Sequence, residues 1–351
     1  MNNETALFSL SGLPNWLPDE TAYSLCSRYH VMSGNSLAAD TAMQLFGKTR
    51  NTTLHDFPCR LNEFVRRTAG LLGQQDKIIF AHTLLRFYLP FRSQEDEESA
   101  IGSMCGEGIG SLKYRLGLLT SRFRAHHPLK ACPLCVQRDM ERFSTSYWHL
   151  SHQYPGVWVC SEHRCFLKEL IVKSNGVERF LWHLPTRERL RDAVIVPKLG
   201  PPADSVVTKL ASLGDVIQGY VTIEDGFRFD SAALLRTYHR ALEEASIKGV
   251  GGSYRWKAIG ESFINFVSPL RVISELVALP SSLEQVEVQI GRLLRRPGTC
   301  RHPLRHLVLI NWLFRNWVDF FNLYQSSLEA HDFACVRACR GGLSQPGSRL
   351  R

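Results

Sequence analysis

The sequence predicts a mostly α-helical chain with a small β zinc ribbon: an N-terminal helix-turn-helix, a central zinc-binding module and a C-terminal helical domain. Three observations carry this. Cys132 with Cys135, and Cys160 with His163, are two pairs with the same two-residue gap. Apolar residues recur at helical spacing on both sides of that segment, punctuated by glycine and proline. The chain has 351 residues, 44% of them hydrophobic and 21% charged, which is globular composition with room for two or three cores. The domains expected are 1–125, 126–196 and 203–325, with a tail over 326–351 that is disordered from 340 to 351 and a linker over 197–202.

In chain order, residues 1–17 form an irregular arm. Phe8, Leu10, Leu13, Trp16 and Leu17 have no local core there, which makes Trp16 and Leu17 candidates for burial against a partner. Asp19 is placed to cap a helix that stops near Gly34. Ser36 is placed to cap a second helix through Leu45, ending at Gly47. With Arg28, Lys48 and Arg50 as phosphate contacts the pair fits a helix-turn-helix, and a plain helical hairpin fits the same pattern. Residues 62–88 read as helical core through Phe64, Val65, Leu71, Leu72, Phe80, Leu84 and Phe87, leaving Arg60, Arg66 and Arg67 outside. The acidic run over 94–98 is a solvated helix start, and Lys113, Arg115, Arg122 and Arg124 lead into the metal segment.

A two-residue gap lets a tight turn aim two side chains at one ion, and two such turns complete a tetrahedral set of nitrogen and sulfur ligands. Cys132, Cys135, Cys160 and His163 are therefore the zinc ligands expected, with His149 and His152 ranked behind His163 for the fourth place. Residues 148–153 alternate, and 156–159 run straight into the second pair, so this stretch reads as strand, with a β extension over 169–196. A site with four protein ligands leaves no open position for water or substrate. The zinc should hold structure together and the chain should not be an enzyme; a zinc hydrolase would also need a ligand set that is absent from the sequence.

Beyond 203 the pattern turns helical: 205–218, then a helix capped by Asp230 and Ser231, then 256–279 and 282–294. Arg292, Arg295, Arg296, Arg301 and Arg305 crowd a short stretch interrupted by Pro297 and Gly298, a candidate DNA-phosphate surface. The apolar stretch 306–324 is interrupted by Arg315 and Asp319, so it is a core helix and not a membrane span. Cys300, His302, Cys335 and Cys339 are a weaker candidate for a second metal site, because their gaps are uneven.

The formal charge of +9 and isoelectric point near 9.1 point to an anionic partner, double-stranded DNA foremost. Ten cysteines, several of them close to histidines, suit a reducing cytoplasm, and the start of the chain lacks the basic and apolar regions of a signal peptide.

Several pieces in order resemble the TniQ/TnsD family of bacterial transposition proteins. Leu17-Pro18-Asp19-Glu20 with Tyr23, Leu25, Arg28, Tyr29 and Gly34, then Leu45-Phe46-Gly47, is similar to the opening TniQ domain. His82-Thr83-Leu84 with Tyr88, Pro90 and Phe91 is similar to the TnsD branch. The four metal ligands, Tyr147-Trp148-His149, Pro155-Gly156, and His302-Pro303-Leu304 with His306-Leu307 continue the likeness. The resemblance implies a non-catalytic target-selection adaptor, bacterial and nucleoid-associated, that recruits the AAA+ ATPase TnsC to the insertion site. Long relatives read an attachment site themselves, and shorter ones ride on a CRISPR Cascade complex. The TnsD-like motifs pull toward the first and the chain length toward the second. An unrelated zinc-containing transcription regulator would share the charge and the helix-turn-helix.

Overall fold

The computed structural model describes residues 12–49, 54–123, 127–171, 181–192, 203–245 and 254–341; for 203 and 330–341 it describes the backbone alone. The expected linker, Arg50 and Arg124 lie outside the described residues.

The first two helices, α1 (Ala22–Ser33) and α2 (Ala38–Phe46), end where the glycines predict: Gly34 and Gly47 take left-handed φ of 68° and 66°, and each amide closes the last turn. Their starts differ from expectation. Thr21, not Asp19, caps α1 by accepting from the Ser24 amide at 3.1 Å, and α2 has no side-chain cap at all. Asp19 is drawn away by tertiary structure: at φ 59° its carboxylate accepts from the Ser151 amide. Residues 22–29 are all buried, so the two helices form a hairpin set into the core.

The expected helical stretch 62–88 is three short helices, α3 (Leu61–Arg67), α4 (Gln75–His82) and α5 (Leu85–Tyr88), the first two parted by Gly70 and Gly73 in the left-handed region. Leu71 falls in that turn and is exposed, against expectation. The acidic run opens α6 (Gln94–Cys105) under a Ser93 cap, its carboxylates at the positive end of the helix dipole. A short α7 (Leu112–Arg115) follows.

The strand expected over 148–159 is not formed. The first cysteine pair instead opens a helix: β1 (Lys130–Ala131) delivers Cys132 as the N-cap of α8 (Pro133–Phe143), with Pro133 at its first position. Residues 150–153 are a single helical turn, α9 (Leu150–Gln153). The strand-like alternation misled because Trp148, His149, Leu150, His152, Gln153 and Tyr154 are buried whichever way they point. The β extension is formed in part, since β1, β2 (Lys168–Leu170) and β3 (Leu190–Asp192) make an antiparallel three-stranded sheet in that order.

The C-terminal part is helical, as predicted: α10 (Ala203–Val221), α11 (Ser231–Glu244), α12 (Trp256–Val267), α13 (Leu283–Leu293), α14 (Pro303–Phe314) and α15 (Trp317–Gly341). Asp230 and Ser282 cap α11 and α13 through the Ala233 and Gln285 amides. Pro269 follows α12 into 3-10 turns, Ser268–Val272 and Ser274–Leu276, where a continuous helix was expected. The apolar stretch 306–324 is broken at Arg315, whose φ of 65° ends α14. Among the described residues no helix is long and apolar enough to cross a membrane. Buried apolar side chains form one contiguous cluster from Ala22 to Tyr324, so the metal segment lies between the N-terminal and C-terminal helices, packed against both.

Candidate metal centre and cationic surface

Cys132, Cys135, Cys160 and His163 converge, their ligand atoms all within 4.8 Å of one another. His163 Nδ1 lies 3.5 Å from Cys132 Sγ, 3.3 Å from Cys135 Sγ and 3.5 Å from Cys160 Sγ, and Cys135 Sγ is 3.7 Å from Cys160 Sγ. The three cysteines are buried and His163 is half-buried. Two local devices aim them. Cys132 and Cys135 share the first turn of α8, whose amide dipoles favour thiolate. Cys160 and His163 sit in a tight turn closed by the Cys160 amide donating to the Cys165 carbonyl at 2.9 Å, with Arg164 at φ 49°. The Cys132 thiol is held low by hydrogen bonds from Cys135 and Cys160, while its neighbours Cys132 and Cys160 push Cys135 up. Packed this closely, the thiols cannot all ionise without a cation among them. The cluster is thus a Cys3His set able to hold one metal ion.

His149 and His152, the rival ligands, are occupied otherwise. His149 Nε2 lies 2.7 Å from Asp139 on α8, and its Nδ1 faces Asp19 at 3.6 Å. His152 Nε2 is 4.0 Å from Cys135 Sγ, outside the set. The sequence reading missed Cys165, whose sulfur is 3.4 Å from Cys132 Sγ; its signal was a fourth cysteine two residues beyond His163. Among the described residues Cys300 and His302 join no second group of three ligands. The side chains of Cys335 and Cys339 lie outside the description.

The centre is tied to the rest of the chain on both sides. The Leu150 amide donates to the Asp19 carbonyl at 2.6 Å, and the Thr21 amide donates to the Trp148 carbonyl at 3.0 Å. On the other side Glu275, buried in the second 3-10 turn, accepts from the Gly156 amide at 3.0 Å and from Trp158 Nε1 at 2.7 Å through a single oxygen. Gly156 holds φ 85°, and a Cβ there would meet Leu304 Cδ1 at 2.7 Å and Ile217 Cδ1 at 2.9 Å, so only glycine lets this turn seat against α10 and α14. Lys130, fully buried, donates to the Tyr154 and Val157 carbonyls at 2.9 and 2.7 Å with its ammonium 4.7 Å from the Trp158 ring centroid; burial lowers its pKa to about 8. Glu275 was legible only as a lone acid in an apolar run, and nothing in the sequence assigned it a partner.

The predicted phosphate contacts separate into two groups. Arg28 is buried on α1, bonded to Glu20 at 2.7 Å and to the Asn15 carbonyl, so its guanidinium faces inward and not toward a groove. Lys48 is half-buried, 3.8 Å from Glu107. Arg292, Arg295, Arg296 and Arg301 are placed around the end of α13 and the turn before α14, where all four are exposed. Arg305 is half-buried, held by Gln289 at 2.8 Å and by the Ser121 carbonyl at 2.7 Å, and stacked over Phe123. Trp16 is likewise engaged within the chain: it stacks on His82 at 3.5 Å between ring centroids and donates to the Leu72 carbonyl at 2.9 Å. The Leu17 amide donates to Glu20.

Fold and centre together define a helical protein with a Cys3His cluster able to hold a metal ion, and with a group of arginines gathered at one place in the C-terminal part. Comparison with known families then places it. The family described as TniQ matches residues 13–167, from the foot of the arm through the second ligand pair. The family described as Tn7-like transposition protein D matches residues 217–338. The transposon Tn7 transposition protein TnsD of Escherichia coli is 26% identical over 148 residues, which is 41% of this chain and 29% of that protein. The chain belongs to the TniQ/TnsD family.

Proposed function

We propose that the chain is a DNA-binding, non-catalytic adaptor that selects the target site of a Tn7-like transposon and recruits the AAA+ regulator TnsC there. The observation that carries this is the succession of the two family matches, TniQ then Tn7-like transposition protein D, in the order of the fold. The formal charge of +9 and the exposed Arg292, Arg295, Arg296 and Arg301 support duplex DNA as a ligand. The match over 217–338 favours direct DNA reading over carriage by a Cascade complex.

The metal in this reading is zinc. A tetrahedral site with zinc bond lengths has sulfur–sulfur edges of about 3.8 Å and sulfur–nitrogen edges of about 3.6 Å, against 3.7 Å and 3.3–3.5 Å between the ligand atoms. With all four positions supplied by protein its task is to fix α8 and the 160–165 turn, not to activate water. TnsC is assigned to the N-terminal side. Trp16 and Leu17 stand at the root of the arm, half-buried, so what they offer a partner is the surface left over from the His82 stack.

Duplex binding and TnsC pull-down test the reading together. The parent chain should retain TnsC and bind duplex with affinity that falls steeply with salt. Arg292→Ala with Arg296→Ala should flatten the plot of log affinity against log salt by about 0.9 for each phosphate no longer neutralised. A folded chain that neither binds duplex nor retains TnsC rules the adaptor out.

A further inference from the structure

A cleft follows the seam between residues 115–122 of the N-terminal part and residues 292–305 of the C-terminal part. Two adjoining cavities of about 310 and 480 Å³ form it, with Thr120, Arg292, Cys300 and Arg305 common to both. Arg115, Arg122 and Arg301 add to the cation count, and Asp96 and Glu284 are the acidic residues on its walls. Positive charge is thus in excess on a surface that the chain itself assembles from two distant stretches.

The way these cations are held separates this cleft from an ordinary solvated surface. Arg115 is fixed by Ser103 at 2.6 Å and by Ser99, and Arg305 by Gln289 and the Ser121 carbonyl; all of these partners are neutral, so both charges stay available. Arg122, Arg292 and Arg301 pair with no carboxylate among the described residues, and Arg292 and Arg301 are exposed. Arg92, itself buried, donates to the Arg115 carbonyl on one wall and to the Arg301 carbonyl on the other, so the seam is stitched as well as charged. His302, 3% exposed, is among the residues that line the smaller cavity, and neither of its ring nitrogens is hydrogen-bonded. Neutral imidazole carries one N–H that needs an acceptor, and a buried donor left without one is unusual in a native fold. Burial and the positive charge of its neighbours keep this ring neutral, so it offers a donor and not a charge.

We propose that this cleft seats the sugar-phosphate backbone of duplex DNA, with Arg122, Arg292 and Arg301 pairing successive phosphates and a His302 ring N–H donating to a phosphate oxygen. The inference rests on the DNA-binding reading above and adds to it a location, a second wall from the N-terminal part, and a neutral donor. A row of phosphates suits it better than one free phosphate, because the cations are strung along two joined cavities and come from both walls. DNA seated there bridges the two parts of the chain and so senses whether they are correctly docked.

The test uses the full chain and a fluorescein-labelled duplex, with anisotropy read over a series of salt concentrations. Arg122→Gln, Arg292→Gln and Arg301→Gln combined should flatten the salt slope by roughly 2.7, at about 0.9 per phosphate contact. A charge-matched control, Arg187→Gln, Arg240→Gln and Arg255→Gln combined, removes arginines outside both cavities and should keep the parent slope. His302→Gln should weaken binding with the slope unchanged, since a neutral donor displaces no counterion. If the parent binds duplex and the cleft triple variant titrates like the control, the cleft is refuted while the adaptor reading stands; a parent that binds no duplex overturns both. Calorimetry with inorganic phosphate and with ATP separates the sources. Uptake by the parent and not by the cleft variant, without displacement of duplex, makes this a small-phosphate site and overturns its assignment to DNA.

Discussion

Removing the Glu275 carboxylate should uncouple the metal segment from the C-terminal helices. One buried oxygen accepts both the Gly156 amide and the Trp158 indole N–H, and both donors come from the turn that leads into Cys160. Glu275→Ala leaves the two buried donors without a partner. A hydrogen bond to a charged group contributes about 1.5–3 kcal/mol, so the pair sets the expected loss at about 3–6 kcal/mol. Glu275→Gln keeps a carbonyl oxygen that can accept both bonds and loses only the assistance of charge, which puts it at about 1–2 kcal/mol. Urea unfolding followed by tryptophan fluorescence and near-ultraviolet circular dichroism reads both variants. The ranking matters more than either value, since only the loss of an acceptor separates them. Equal destabilisation by the two substitutions, or a Glu275→Ala loss under about 1 kcal/mol, refutes the account of Glu275 as a shared acceptor.

Two further outcomes follow from the centre. Cys135→Ser should abolish metal content and leave the chain insoluble, because metal-binding free energy in such modules is folding free energy. Cys165→Ser should keep the metal, because Cys165 stands beside Cys132 but outside the convergent set; metal analysis that finds the reverse reassigns the fourth ligand. His149 gives a pH dependence. Burial pulls its pKa down, but hydrogen bonds to Asp139 and Asp19 outweigh that and set it at about 9, above its unfolded value. Its contribution, on the order of 3 kcal/mol, is therefore complete below about pH 6.5 and is lost as pH rises toward 9. His149→Gln should flatten the stability profile across that window, and a parent profile already flat from pH 6.5 to 9 contradicts the Asp139–His149–Asp19 link.

The sequence by itself determined which four residues converge as a candidate ligand set, and several helix ends, because both are written in short-range chemistry. A two-residue gap between Cys132 and Cys135 allows two sulfurs on one ion whatever surrounds them. Gly34 and Gly47 stop helices because only glycine takes the left-handed turn without strain, and Asp230 and Ser282 cap because their oxygens reach an amide three residues on. Family resemblance was likewise legible, since ordered motifs survive without coordinates. Tertiary structure decided whatever depended on distant residues. Asp19 was free to cap α1 until Ser151 claimed it, and 148–159 alternated like a strand although its neighbours close over it from every side. Arg28 and Arg301 are the same residue type, yet Glu20 draws one into the core while no acid meets the other among the described residues. Charge, burial and the pairing of walls at the 115–122 and 292–305 seam arise only when stretches nearly two hundred residues apart in the 351-residue chain are brought together, which no local pattern encodes.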